Sequence, residues 1–182
     1  MYKDINRAVV VAVLLILLAA CTSSQPTSQV KASLTPAAHT FAGACAGTVL
    51  TDAEPPIWAQ GGWTHTKGTP WAVPWALGTQ GNTVAYVWGT QLVAAQSPRV
   101  DGPNNKVLWE SKDNPSGEGI IVEGRPLGQT QPVVTIVGGP SFVDVPTAGC
   151  WTFRLSWSAN GQQTSTINLE VLPAGTLPSK PA

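Results

Sequence analysis

Charge is scarce in this 182-residue chain: 10 basic and 10 acidic residues make up 11% of it, against roughly 25% in an average domain. A neutral, charge-poor surface has no electrostatic footprint for nucleic acid and no basic patch for an anionic membrane. Histidine is almost missing. His39 and His65 are the only two, and neither has a Cys, His or carboxylate at metal-ligand spacing. No metal is expected, and both histidines read as solvent-exposed or loop residues. There is no Gly-x-Ser-x-Gly elbow, no His-Glu-x-x-His and no twelve-residue calcium loop. Gly124, Gly128, Gly138 and Gly139 lack the strand-to-helix setting of a phosphate loop, so no nucleotide cofactor is expected. Helical signal is absent as well: outside the N-terminal run, no window keeps an i, i+3, i+4, i+7 apolar pattern free of glycine and proline.

What remains is turn and strand. With 18 glycines and 16 prolines, turns are frequent, which favours β over helix. Thr83–Trp88 is apolar on both faces and reads as a central strand. Lys106–Trp109, Gly119–Val122, Val133–Val137 and Ser141–Val145 are further short strands between turn-rich stretches such as Asp113–Gly117. The best pair is C-terminal. Trp151, Phe153, Leu155 and Trp157 share one face of a strand, and Ile167, Leu169 and Val171 share one face of another. Asn160-Gly161 between them favours a hairpin turn. About seven short strands predict an all-β, two-sheet antiparallel sandwich, immunoglobulin-like or related, with little or no helix outside the leader.

The N-terminus carries an address. Lys3 and Arg7 precede an unbroken apolar run from Ala8 to Ala20, about 13 residues, which suits a signal h-region and falls short of a membrane span of roughly 20. Leu18-Ala19-Ala20-Cys21 resembles the lipobox of bacterial lipoproteins. The resemblance implies cleavage before Cys21 and acylation of that cysteine, palmitate included. Residues 1–20 are then a lipoprotein signal peptide, 21–40 a disordered tether rich in Ser, Thr, Gln and Pro, 41–173 the sandwich domain and 174–182 a flexible tail. The expected location is the cell membrane or envelope, lipid-anchored and extracytoplasmic. Two acyl chains anchor stably without a basic patch.

With Cys21 spent on lipid, Cys45 and Cys150 remain. An even pair in an exported chain predicts a disulfide; two free thiols are the alternative. Cys150 is opposite in phase to Trp151, so a regular strand turns it away from the aromatic face. The bond should therefore tie the segment around Cys45 to an end or outer face of the sheet, not pin the centre of the sandwich.

The stretch Gly139-Pro-Ser-Phe-Val-Asp-Val-Pro-Thr-Ala-Gly-Cys-Trp151 and the alternating strand that follows resemble a pattern in uncharacterised bacterial secreted lipoproteins. Lys106-Val-Leu-Trp109 is similar to a strand of the same proteins. The resemblance spans roughly residues 41–173. It implies an immunoglobulin-like or related sandwich on the cell envelope, and it carries no activity or site residues to transfer.

Trp58, Trp63, Trp71 and Trp75 lie close together amid Gly61-Gly62, Gly68, Pro70 and Pro74. Such rings either cap an end of the sandwich that short strands leave open or form a binding surface for sugars or peptides. Tyr86 is a weaker candidate for the same surface. Trp88, Trp109, Trp151 and Trp157 are read as core. The expected function is that of a membrane-tethered, non-catalytic binding or structural module with a possible envelope glycan, peptide or protein partner. The alternative is a hydrolase of envelope polymers, using His65 or two carboxylates brought together by the fold.

Overall fold

Alternation of apolar and polar residues builds the longest ladder of the computed structural model. Gly149–Trp157 pairs antiparallel with Gln163–Leu172, in unbroken register from Gly149 opposite Val171 to Trp157 opposite Gln163. The structure describes residues 38–177 except 62, 96, 97, 100, 101, 103 and 159–161. The leader, Cys21, the tether up to residue 37, the Asn160-Gly161 turn and the end of the tail lie outside the described residues.

In chain order the strands are β1 (Thr40–Phe41), β2 (Leu50–Thr51), β3 (Trp75–Leu77), β4 (Thr83–Val87), β5 (Leu92–Val93), β6 (Lys106–Ser111), β7 (Ile121–Pro126), β8 (Val134–Val137), β9 (Gly139–Phe142), β10 (Gly149–Trp157) and β11 (Gln163–Leu172). They form a six-stranded sheet, β1-β2-β3-β4-β6-β9, and a five-stranded sheet, β5-β11-β10-β7-β8. The fold is the expected all-β sandwich, with eleven described strands instead of about seven. The short additions β1, β2, β3 and β5 have two or three residues each, too few to display a period of two. One pair departs from the antiparallel rule: β5 runs parallel to β11. The one described helical element is a 3-10 turn, Ile57–Ala59.

The main core lies between the sheets. Leu50, Ala76, Ala85, Val87, Val107 and Trp109 from the six-stranded sheet meet Val122, Trp151, Phe153, Leu155, Trp157, Ile167, Leu169 and Val171 from the other. The Trp109 ring sits 5.4 Å from Phe153. Gly124 faces Phe153 across β7 and β10, and a Cβ there would come within 2.9 Å of the Phe153 ring and 2.6 Å of Val134. Its bare backbone makes the room the ring occupies. Thr83 on β4 donates to Ser165 Oγ on β11 at 2.7 Å, both fully shielded from water. Two-residue β5 is held by a side chain. The buried Asn105 amide accepts from Val93 N–H at 3.0 Å and donates to Val93 C=O at 2.7 Å, satisfying both polar groups as a neighbouring strand would.

Cys45 and Cys150 are bonded, Cα atoms 5.9 Å apart and 105 positions apart in sequence. With no bulge in β10, Cys150 falls on the outward side, along with half-buried Thr152 and Arg154. The N-terminal segment lies along β11: Glu170 N–H donates to Gly43 C=O at 3.0 Å, and Cys45 N–H to Asn168 C=O at 3.4 Å. The folded part starts slightly before residue 41. Thr40 belongs to β1. His39 is 67% exposed, yet its backbone N–H reaches Asp52 Oδ1 at 2.6 Å and its Nδ1 lies 2.8 Å from Asp52 Oδ2. Burial works to raise the Asp52 carboxyl, but the His39 contacts outweigh it and hold the group below its ordinary value.

Candidate functional site

Strand β4 is buried along its whole length, and the reason lies on its second face. Thr83, Ala85 and Val87 point into the sandwich, so Val84 and Tyr86 point outward, onto the far side of the six-stranded sheet. That side has its own apolar cluster of Ala59, Trp71, Val73, Trp75, Val84 and Tyr86, with Trp58, Trp63, Trp88 and Leu108 half-buried against it. The segment between β2 and β3 supplies most of the cover. It is fastened by hydrogen bonds a loop of this composition can make without regular structure. Trp71 N–H donates to Asp52 C=O at 2.8 Å, the Trp75 indole to Ala53 C=O at 2.8 Å, Gln60 Nε2 to Pro55 C=O at 2.7 Å, and the Tyr86 hydroxyl to Ala59 C=O.

The four loop tryptophans therefore have different fates. Trp71 and Trp75 are buried. Trp58 and Trp63 stay half-buried. The rings cover a sheet face instead of closing an end of the sandwich, because an apolar strand such as β4 must be shielded on both sides. Trp88 is also displaced from its expected place. It follows β4, shares the parity of Tyr86, and is half-buried on this outer surface instead of in the central core.

Trp63 is the hub. Its ring lies 4.9 Å from Tyr86, 6.1 Å from Trp71 and 5.8 Å from Trp88, the last pair stacked at an interplanar angle of 27°. Trp71 and Tyr86 stack at 6.5 Å. Ring pairs at such spacings add about 0.5–1.5 kcal/mol each beyond simple burial, so the cluster is stiff. Toward β6 and β9 the surface continues through Lys106, whose Nζ lies 5.1 Å from the centre of the Trp88 ring, and through Phe142, which pairs with Lys106 in register and is 58% exposed.

One acid lies on the same sheet face. Glu110 pairs with Val84 and is only 5% exposed. Burial pushes its carboxyl up to about 7. Burial, with the Glu110 charge adding to it, also raises the Tyr86 phenol above its ordinary value. His65 rests its ring 4.4 Å from Trp71, and among the described residues it has no carboxylate partner. The His–carboxylate contact that does form, His39 with Asp52, is at the start of the domain. Among the described residues no three His, Cys, Asp or Glu side chains gather as a metal set.

Trp63 and Tyr86 were legible as candidates; Trp88, Lys106 and Phe142 were not. Parity carried the missing signal. Trp88 continues Val84 and Tyr86, Lys106 alternates with buried Val107 and Trp109, and Phe142 alternates with buried Val143 and Val145.

No family model matches the chain, and no curated protein or solved structure is significantly similar to it.

Proposed function

We propose that the chain is a lipid-anchored, extracytoplasmic binding module of the cell envelope, whose working surface is the aromatic platform of Trp63, Trp88 and Phe142 on the six-stranded sheet. The observation that carries this reading is the incomplete burial of Trp63 and Trp88 against the buried cluster of Trp71, Trp75 and Tyr86. Rigid, half-covered indoles give large contact area at low entropic cost. The anchor reading rests on Lys3, Arg7, the apolar run to Ala20 and the Leu18–Cys21 tetrapeptide. The module binds or supports envelope material without catalysis.

The platform is tested by titrating the detergent-solubilised full chain with soluble glycan and peptide fragments of cell envelopes while following tryptophan fluorescence. Saturable quenching is expected. Trp88→Ala should weaken it at least tenfold with little change in melting temperature. Trp63→Ala should weaken it as much and also lower the melting temperature, because it removes three ring contacts. Absence of quenching by either class of fragment would reduce the rings to a cover for β4.

The anchor is tested by intact mass. Wild type should begin at Cys21 and carry the added mass of its acyl chains, whereas Cys21→Ala should keep residues 1–20 and gain no lipid. A wild-type chain with an unmodified Cys21 sinks the anchor.

A further inference from the structure

One row of the platform runs across three strands. Trp88 N–H donates to Lys106 C=O at 3.0 Å, and Lys106 is the register partner of Phe142. With strands about 4.8 Å apart, the row is on the order of 10 Å long. It reads aromatic, cation, aromatic. Among the described residues the Lys106 ammonium has no carboxylate partner, whereas Arg154 pairs with Glu123 on the other sheet. Glu110, on the same strand, is four residues farther along and buried. In a chain with 11% charged residues, a cation without a carboxylate partner between half-buried Trp88 and exposed Phe142 is a marked asymmetry, and a matching ligand places a negative charge there.

The rest of the row selects the kind of molecule that carries the charge. Phe142, Leu108 and the face of Trp88 offer no hydrogen bonds along their length. A peptide laid on them would have backbone N–H and C=O groups desolvated without partners. A sugar ring sets an apolar C–H face against the indole and keeps its hydroxyls at the rim, in water.

We infer that the platform takes an anionic saccharide, with an apolar ring face on Trp88 and Trp63 and a carboxylate or phosphate on Lys106. This rests on the platform being a binding surface. The test compares acidic oligogalacturonate with a neutral N-acetylglucosamine oligomer of equal length, titrated into the detergent-solubilised full chain. The acidic oligomer should bind at least tenfold more tightly, and added salt should weaken it. Lys106→Gln should erase the preference by lowering only the acidic affinity, Lys106→Arg should retain it, and the melting temperature should stay unchanged in both. Equal affinities unaffected by Lys106→Gln would overturn the anionic assignment, and binding of envelope peptides in place of both sugars would overturn the saccharide assignment; either outcome leaves the platform standing. No binding of any of these ligands would overturn both.

Discussion

Replacing Cys45 and Cys150 together by alanine is expected to destabilise the domain by about 4–5 kcal/mol. The bond spans 105 positions, and a closed loop of roughly 100 residues removes about that much conformational freedom from the unfolded chain. For a domain of this size the loss corresponds to a fall of roughly 10–20 °C in melting temperature, read by circular dichroism with and without reductant. The same bond acts locally. It fastens Gly43–Cys45 against β11, alongside the two backbone hydrogen bonds with Glu170 and Asn168 and two from Asn168, its N–H to Thr48 Oγ1 at 3.0 Å and its side-chain amide to Ala46 C=O at 3.5 Å. Hydrogen exchange separates the two effects. A global effect accelerates exchange in β10 and β11, whereas a local one accelerates it only in β1 and β2. A shift in melting temperature of less than about 3 °C, or alkylation of both cysteines in native unreduced protein, would contradict the expectation.

Glu110 should make the protein more stable at pH 5 than at pH 8. Its carboxyl titrates near 7 in the folded chain and near 4.5 in the unfolded one. Between those values the folded state holds a proton that the unfolded state has released, so stability falls as pH rises through the interval and levels off above it. The full effect is on the order of 3 kcal/mol. Asp52 acts in the opposite direction and in another range: its depressed carboxyl supports the fold above its ordinary value and is lost as pH falls below it. It therefore does not mask the change between pH 5 and 8. Glu110→Gln, which keeps the shape and removes the charge, is expected to match wild type at pH 5 and exceed it by about 2–3 kcal/mol at pH 8. Urea unfolding at the two pH values checks this. Parallel pH profiles for wild type and variant would show that the carboxyl does not titrate between folded and unfolded states.

The parts of the fold legible in the sequence are those in which one strand carries its own pattern. The Trp151–Trp157 and Ile167–Val171 alternations specified the β10–β11 hairpin, and their phase placed Cys150 on the outward side. Thr83–Trp88 announced a strand covered on both faces without saying by what. The cover is tertiary: a loop from residues 53–74 with no periodicity, held by single hydrogen bonds such as that of the Trp75 indole with Ala53 C=O. For the same reason the burial of Trp71 and Trp75 and the half-burial of Trp88 on the outer face could not be read from composition. Asn105 is a sharper case. An asparagine between turn residues looks like part of the turn, and only the approach of Val93 from another strand makes its amide a strand substitute.

The position of Cys45 also has a mechanical consequence. A pull on the N-terminal side of the domain first meets the His39 contacts with Asp52 and then the two residue pairs that join β1 to β2. The load then reaches Cys45 and passes through a covalent bond into β10, the middle strand of the five-stranded sheet. Once the first strand is stripped away, the load thus enters the five-stranded sheet, opposite the β4 strand that lies under Trp63.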